Sequence, residues 1–232
     1  MTIESDRIRS VYAKRDDKKH LYVWHRPEII YQEGEKNAVI AALLSKNHSF
    51  DLSESRVLDV GCGTGGFLRT LVEWGADPSN LVGTEFLKDR LEEARKISPS
   101  EISFIHGDLS LFNDNSFDLI SANTVFSSVL DLNIRDFLAS EIWRVLKPGG
   151  WLFVFDFRYN NPSNNNVRKV TRKELTGFWK EGANIRYKTL MLAPPLARRI
   201  IPLSPLLGSL LIRLFPFLRS HFCFMLQKPN LV

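Results

Sequence analysis

Four glycines fall within six residues at 61–66, directly behind the apolar stretch Val57-Leu58-Asp59-Val60. Such a run leaves little freedom in what the segment can be. Glycine adopts backbone conformations closed to other residues and lets a ligand approach the main chain closely, so the run predicts a tight turn at a strand end. Residues 66–75 carry a helical pattern and end at Gly75. A strand, a glycine turn and a helix make the opening unit of an open α/β sheet, whose ligands sit beyond the carboxyl ends of the strands.

The same alternation continues down the chain. Strands are expected at 56–60, 80–85, 102–108, 116–123 and 151–157. Helices fall between them, one of them running through 134–150 and closed by Pro148, Gly149 and Gly150. Nearly continuous apolar strands separated by helices indicate a parallel sheet covered on both faces, a doubly wound α/β domain. Residues 1–50 read as an N-terminal helical cap with Pro27 at a first helical position, and 51–160 as the ligand-binding core. Residues 161–232 complete the domain with a helix at 171–182 and two late strands at 184–192 and 220–228. Between those strands lies an apolar, proline-broken insertion, 193–219.

The 232 residues fit one structural domain. Two cysteines far apart, Cys62 and Cys223, argue against a disulfide framework and for a reducing compartment. The N-terminus lacks the apolar core of a secretory signal, and no uninterrupted apolar run is long enough to span a bilayer, so the expectation is cytoplasmic. The net charge of +5 is uneven: residues 167–232 hold 12 Lys and Arg against 2 Asp and Glu. This suits either a solvated basic face or an anionic partner. No His or Cys cluster has metal-ligand spacing, so no metal is expected.

The spacing Gly61-x-Gly63-x-x-Gly66 matches a dinucleotide fingerprint as well as a turn for another adenosyl ligand. Asp59 separates the two. A carboxylate beside a pyrophosphate is repelled by several kcal/mol at about 4 Å and an effective dielectric of about 20, whereas beside an ammonium and a sulfonium it is attracted. The stretch asks for a ligand with an adenosine end and a cationic end, which is S-adenosylmethionine. Glu85, at the second strand's end, is placed to accept from ribose hydroxyls, and Phe86 to wall the adenine. Asp108 follows the third strand, where it can accept from an exocyclic amino group, and Asn123 ends the fourth. Taken singly, each of these residues could be a turn former or a cap. Their order at successive strand ends is what points to one ligand.

The ordered set "VLDVGCGTG", "VGTE", "GDL", "FDLISAN" and "EIWRVLKPGGWLFV" resembles the class I S-adenosylmethionine-dependent methyltransferases over about residues 50–160. The resemblance implies a seven-stranded sheet of order 3-2-1-4-5-7-6 with strand 7 antiparallel and helices on both faces. It also implies S-adenosylmethionine as cofactor, with Asp59 and Gly61 at the methionine end, Glu85 at the ribose, and Asp108 and Leu109 at the adenine. Cys62, Gly63, Gly65, Phe86 and Asn123 complete the expected cofactor site.

For the acceptor, "NTVF" at 123–126 stands where nucleobase methylases of the family carry an Asn/Asp-Pro-Pro-aromatic motif, so no nucleic acid is expected. The expected partner is a small molecule, partly apolar or anionic: a sugar, glycolipid or polyketide-like hydroxyl, or the nitrogen of a natural product. A nicotinamide-dependent oxidoreductase is the rival enzyme class, and a non-catalytic cofactor-binding module the rival outside enzymes. The insertion 193–219 reads as satellite core, as a lid over the acceptor, or as a peripheral membrane contact with arginines at headgroups. A general base would serve a hydroxyl acceptor. The candidates are Asp156 and Tyr159 around the end of the fifth strand, then His25, then His221. Trp24 and Tyr31 are candidates for the acceptor wall. His20, His48 and His106 are assigned to surface or packing.

Overall fold

The structure, a computed structural model, describes residues 3–13, 25–46, 50–162 and 164–230. Trp24, His20 and His48 lie outside the described residues. The strands are β1 (Val57–Val60), β2 (Leu81–Glu85), β3 (Ser103–His106), β4 (Phe117–Asn123), β5 (Leu146–Phe157), β6 (Ala183–Leu192) and β7 (Arg219–Gln227). They form one seven-stranded sheet of order β3-β2-β1-β4-β5-β7-β6. β1 to β5 pair in parallel, and β7 is antiparallel to both β5 and β6. The expected topology is the observed one.

Side chains alternate across each strand and so sort into two cores. Val57, Leu119, Trp151, Phe153, Phe155, Cys223 and Met225 face one side. There they pack with α2 (Pro27–Leu44), α3 (Gly66–Glu73) and α4 (Lys88–Ile97) through Val39, Ile40, Leu43, Leu68, Leu71 and Leu91. Leu58, Val60, Ile120, Leu152, Val154, Phe222 and Phe224 face the other, against α5 (Leu132–Val145) and α6 (Arg172–Phe178). α2 is therefore a layer of the domain. α1 (Ile3–Ala13) is tied to the loop after β4: its Arg7 donates to Ser128 O, and its Glu4 accepts from Leu130 N at 2.6 Å.

One boundary departs from the sequence pattern. α5 stops at Val145 and β5 begins at once with Leu146, where a helix through 150 is expected. Leu146 is fully buried and pairs with Phe117, while the Lys147 ammonium holds both oxygens of Asp118 at 2.8 Å. Tertiary pairing takes these residues into the sheet ahead of the proline. The insertion folds as α7 (Pro194–Ile200), α8 (Pro205–Leu214) and a 3₁₀ turn at Pro216–Leu218.

Candidate cofactor and acceptor site

The glycine turn is tight for steric reasons. Gly61 and Gly63 have φ of 65° and 58°, and a Cβ on Gly61 would stand 2.9 Å from Val125 Cγ2. The loop is also tied to β2: Cys62 N donates to Thr84 O at 2.9 Å, and Gly63 N donates to Glu85 Oε2 at 3.0 Å. The Cys62 thiol is buried, and burial together with the neighbouring Asp59 and Glu85 charges pushes its pKa well up, so it packs as a neutral plug.

Asp59, Ser121 and Asn123 lie on the α2 face at the strand ends. Asp59 Oδ1 accepts from Ser121 Oγ at 2.6 Å and from Asn123 Nδ2 at 3.1 Å. Only 2% of Asp59 is exposed, and burial pushes its carboxyl up to about 6 against those two hydrogen bonds. Among the described residues its Oδ2 makes no hydrogen bond and the buried Asn123 Oδ1 has no partner. Two acceptor oxygens without donors, beside a turn with almost no side-chain bulk, fit the ammonium and sulfonium end of S-adenosylmethionine and oppose a phosphate.

The remaining cofactor candidates line the same rim. Glu85 is 7% exposed; its Oε1 accepts from Phe86 N at 2.8 Å and Leu87 N at 3.1 Å, so the carboxylate also staples the turn after β2. Phe86 is half exposed beside it. Asp108 is exposed and caps a 3₁₀ turn by accepting from Ser110 N at 3.0 Å, and Leu109 behind it is buried. Thr124, next to Asn123, holds a φ of 56°, which costs a β-branched residue strain. Its N–H donates to Phe155 O at 2.7 Å, which fixes the loop against β5.

The base candidates separate by strand parity. Phe155 and Phe157 point to the site face, so Asp156 between them points to the other. Asp156 is fully buried, and it accepts from Ser127 N at 3.0 Å and Phe157 N at 2.8 Å. Burial raises its carboxyl to about 6, but its place is beneath the β4–α5 loop on the side away from Asp59. Tyr159 is 46% exposed beneath the Arg158 guanidinium, 5.1 Å from its ring centre. His25 is exposed in the turn before α2.

His221, the third candidate, lies on the same face as Phe155 and Phe157. It pairs with Phe157 across β5 and β7 and stacks on Phe155 (ring centres 5.0 Å, 1° between planes) and against Phe157 (4.3 Å). Ser220 Oγ lies 3.3 Å from Met191 O and 2.8 Å from His221 Nδ1. A hydroxyl has one proton, and a carbonyl can only accept it. Both contacts are satisfied together when Ser220 donates to Met191 O and accepts from Nδ1–H, the tautomer that leaves the lone pair of His221 on Nε2. That nitrogen has no partner among the described residues. Burial, reinforced by Lys36, depresses the imidazole to about 3, so it is neutral.

Lys36 and Glu35 enter from α2. Lys36 Nζ lies 5.6 Å from the Phe155 ring centre and pairs with Glu33. Glu35 Oε1 accepts from Met191 N at 3.2 Å, its buried Oε2 has no partner among the described residues, and burial raises its pKa. Neither stands out in the polar run 32–37 in the middle of α2. Ser121 was legible, two residues before Asn123 and so on its face.

The chain is similar to known methyltransferases in sequence and in fold. The sequence profile of a family described as a methyltransferase domain matches residues 58–154. A sterol 24-C-methyltransferase of Aspergillus fumigatus is 34% identical over 135 residues, which cover 52% of this chain and 34% of that protein. A demethylmenaquinone methyltransferase of Deinococcus radiodurans is 37% identical over 110 residues, 45% of this chain and 44% of that protein. The chain thus spans less than half the length of either relative. Among solved structures, phosphoethanolamine N-methyltransferase 2 of Haemonchus contortus with S-adenosyl-L-methionine superposes with a TM-score of 0.60 at 18% identity, over 83% of this chain and 53% of that one. A structure titled as the [4+2]-cyclase SpnF gives 0.59 at 19%, over 83% and 80%. Likeness at that identity speaks for the fold alone.

Proposed function

We propose that this chain, whose residues 58–154 match a methyltransferase domain and whose sheet has the class I order, uses S-adenosylmethionine to methylate a small, largely apolar acceptor at a hydroxyl oxygen. The observation that carries the reading is one continuous face. It runs from Asp59 and Asn123 on β1 and β4, across Phe155 and Phe157 on β5, to His221 on β7. Its first end offers acceptors to a cation and its second a neutral imidazole on an aromatic floor.

S-adenosylmethionine supplies a methyl group already attached to a good leaving group, so the protein's task is alignment. In this reading Asp59 and Asn123 hold the methionine end, the 61–66 turn lies against the cofactor, and Glu85 and Phe86 border the ribose and adenine with Asp108 and Leu109. Phe155 and Phe157 support the acceptor. His221 Nε2 takes its proton, with Ser220 and Met191 O fixing the tautomer. Asp156 is a positioning residue for the Ser127 loop. Aromatic rings favour a glycolipid or polyketide-like acceptor over a bare sugar. Carbon methylation is a second reading, suggested by the relatives named for a sterol and for demethylmenaquinone. A cytoplasmic setting belongs to the same proposal and is supported by two buried free thiols.

Parallel calorimetric titrations with S-adenosylhomocysteine and NADH test the cofactor. Binding of the first is expected, and binding of NADH alone overturns the reading. Incubation with S-adenosylmethionine and apolar hydroxylated extracts, read by mass spectrometry, should show a gain of one methyl group. No transfer to any acceptor, despite cofactor binding, would leave a binding module.

A further inference from the structure

The insertion between β6 and β7 is anchored on one side and bare on the other. Leu192, Ala197, Ile201 and Ile212 form a small buried cluster with Tyr31 of α2 packed against it, and the Tyr31 and Ser209 hydroxyls are hydrogen-bonded. α7 and α8 touch closely: a Cβ on Gly208 would stand 2.2 Å from Ile201 Cδ1. This fixed scaffold presents Leu206, Leu210 and Leu214 at helical spacing, 82%, 49% and 60% exposed, beside Leu203 at 85% and Phe217 at 65%. Apolar residues so concentrated on one exposed tip mark an interaction surface.

Charge decides the occupant. The last acidic residue of the chain is Glu181, whereas Arg198, Arg199 and Arg213 lie within the insertion. Arg199 and Arg213 are exposed and form no ion pair among the described residues. Arg198 is part-buried, and its field helps lower the Glu28 carboxyl, itself buried and paired with Arg26. Two copies joined face to face through this tip would bring arginines together with no acid of the insertion to offset them. No helix among the described residues is long and apolar enough to cross a membrane. Leucines and phenylalanine flanked by arginines suit instead the boundary between acyl chains and anionic headgroups.

We propose that the α7–α8 hairpin and the 3₁₀ turn after it dock this protein on an anionic lipid surface, with Leu203, Leu206, Leu210, Leu214 and Phe217 entering the interface and Arg199 and Arg213 meeting phosphates. The inference is independent of the reaction catalysed. Flotation of the full chain with phosphatidylcholine vesicles, with and without phosphatidylglycerol, tests it. Binding is expected to the anionic vesicles, weakening as salt rises. Arg199→Ser and Arg213→Ser should each weaken it about fivefold. The combination Leu206→Ser, Leu210→Ser and Leu214→Ser should weaken it at least about a hundredfold with the thermal midpoint retained. Salt dependence of the unaltered chain gives a readout that needs no variant. Absence of binding to anionic vesicles overturns the proposal, and so does binding that the leucine substitutions leave intact. A dimer in solution that those substitutions dissociate would assign the tip to a second copy and overturn it as well.

Discussion

Burial outweighs two hydrogen bonds and raises the Asp59 carboxyl to about 6, so it is ionised at neutral pH and takes up a proton just below it, and this makes cofactor affinity a function of pH. The free carboxyl has a pKa of about 6, and a cation beside it requires the ionised form. Acidification below about 6 must then displace a proton on binding, so affinity for S-adenosylmethionine should fall about tenfold per pH unit there. Asp59→Asn should weaken binding by about 1–3 kcal/mol at pH 8 and abolish that pH dependence, as isothermal titration would show. An equally steep dependence in the variant would remove Asp59 from the site. His221 belongs at the other end of the face. His221→Gln should lower turnover by about 10²–10⁴-fold with cofactor affinity within about twofold of the parent, measured by initial rates and titration. Equal losses in both would make the residue part of the fold only.

At the scale of elements, α5 and α6 are joined by a buried ion pair. Arg135 is fully buried; it donates from Nη1 to Glu174 Oε1 at 2.7 Å and from Nε to Val129 O at 2.6 Å. Glu174 also completes the capping box of α6 with Thr171. Glu174→Ala leaves a guanidinium without its counter-charge and a helix without its cap. The expected cost is about 3–5 kcal/mol, read as a shift of the urea midpoint at constant slope. The same region shows the limit of pattern reading. Residues 146–150 continue the helical pattern of α5 in sequence and carry a proline, and the sheet takes them because Leu146 finds its partner in Phe117, a residue distant in sequence.

For the whole molecule, His221 makes stability depend on pH. Its folded pKa of about 3 lies below the unfolded value of 6.5, so its contribution is present above about 6.5 and is lost as pH falls towards 3. Equilibrium unfolding of the parent and of His221→Gln between pH 7 and 4 should show the parent losing stability faster on acidification. Parallel curves would mean that the imidazole is reached by water.

What the chain alone determined is what repeats locally. Strand and helix periods, the glycine turn, the acids at strand ends and the proline-broken insertion are carried by neighbours in sequence; the order of the sheet came from the resemblance that the ordered motifs carry. Which face each strand-end residue presents was decided by tertiary structure. Parity turned Asp156 away, and antiparallel pairing set His221 beside Phe157. α2 laid Lys36 and Glu35 over the same face. Those positions depend on pairing across more than sixty residues, and a burial pattern read along one strand does not contain its neighbour's register.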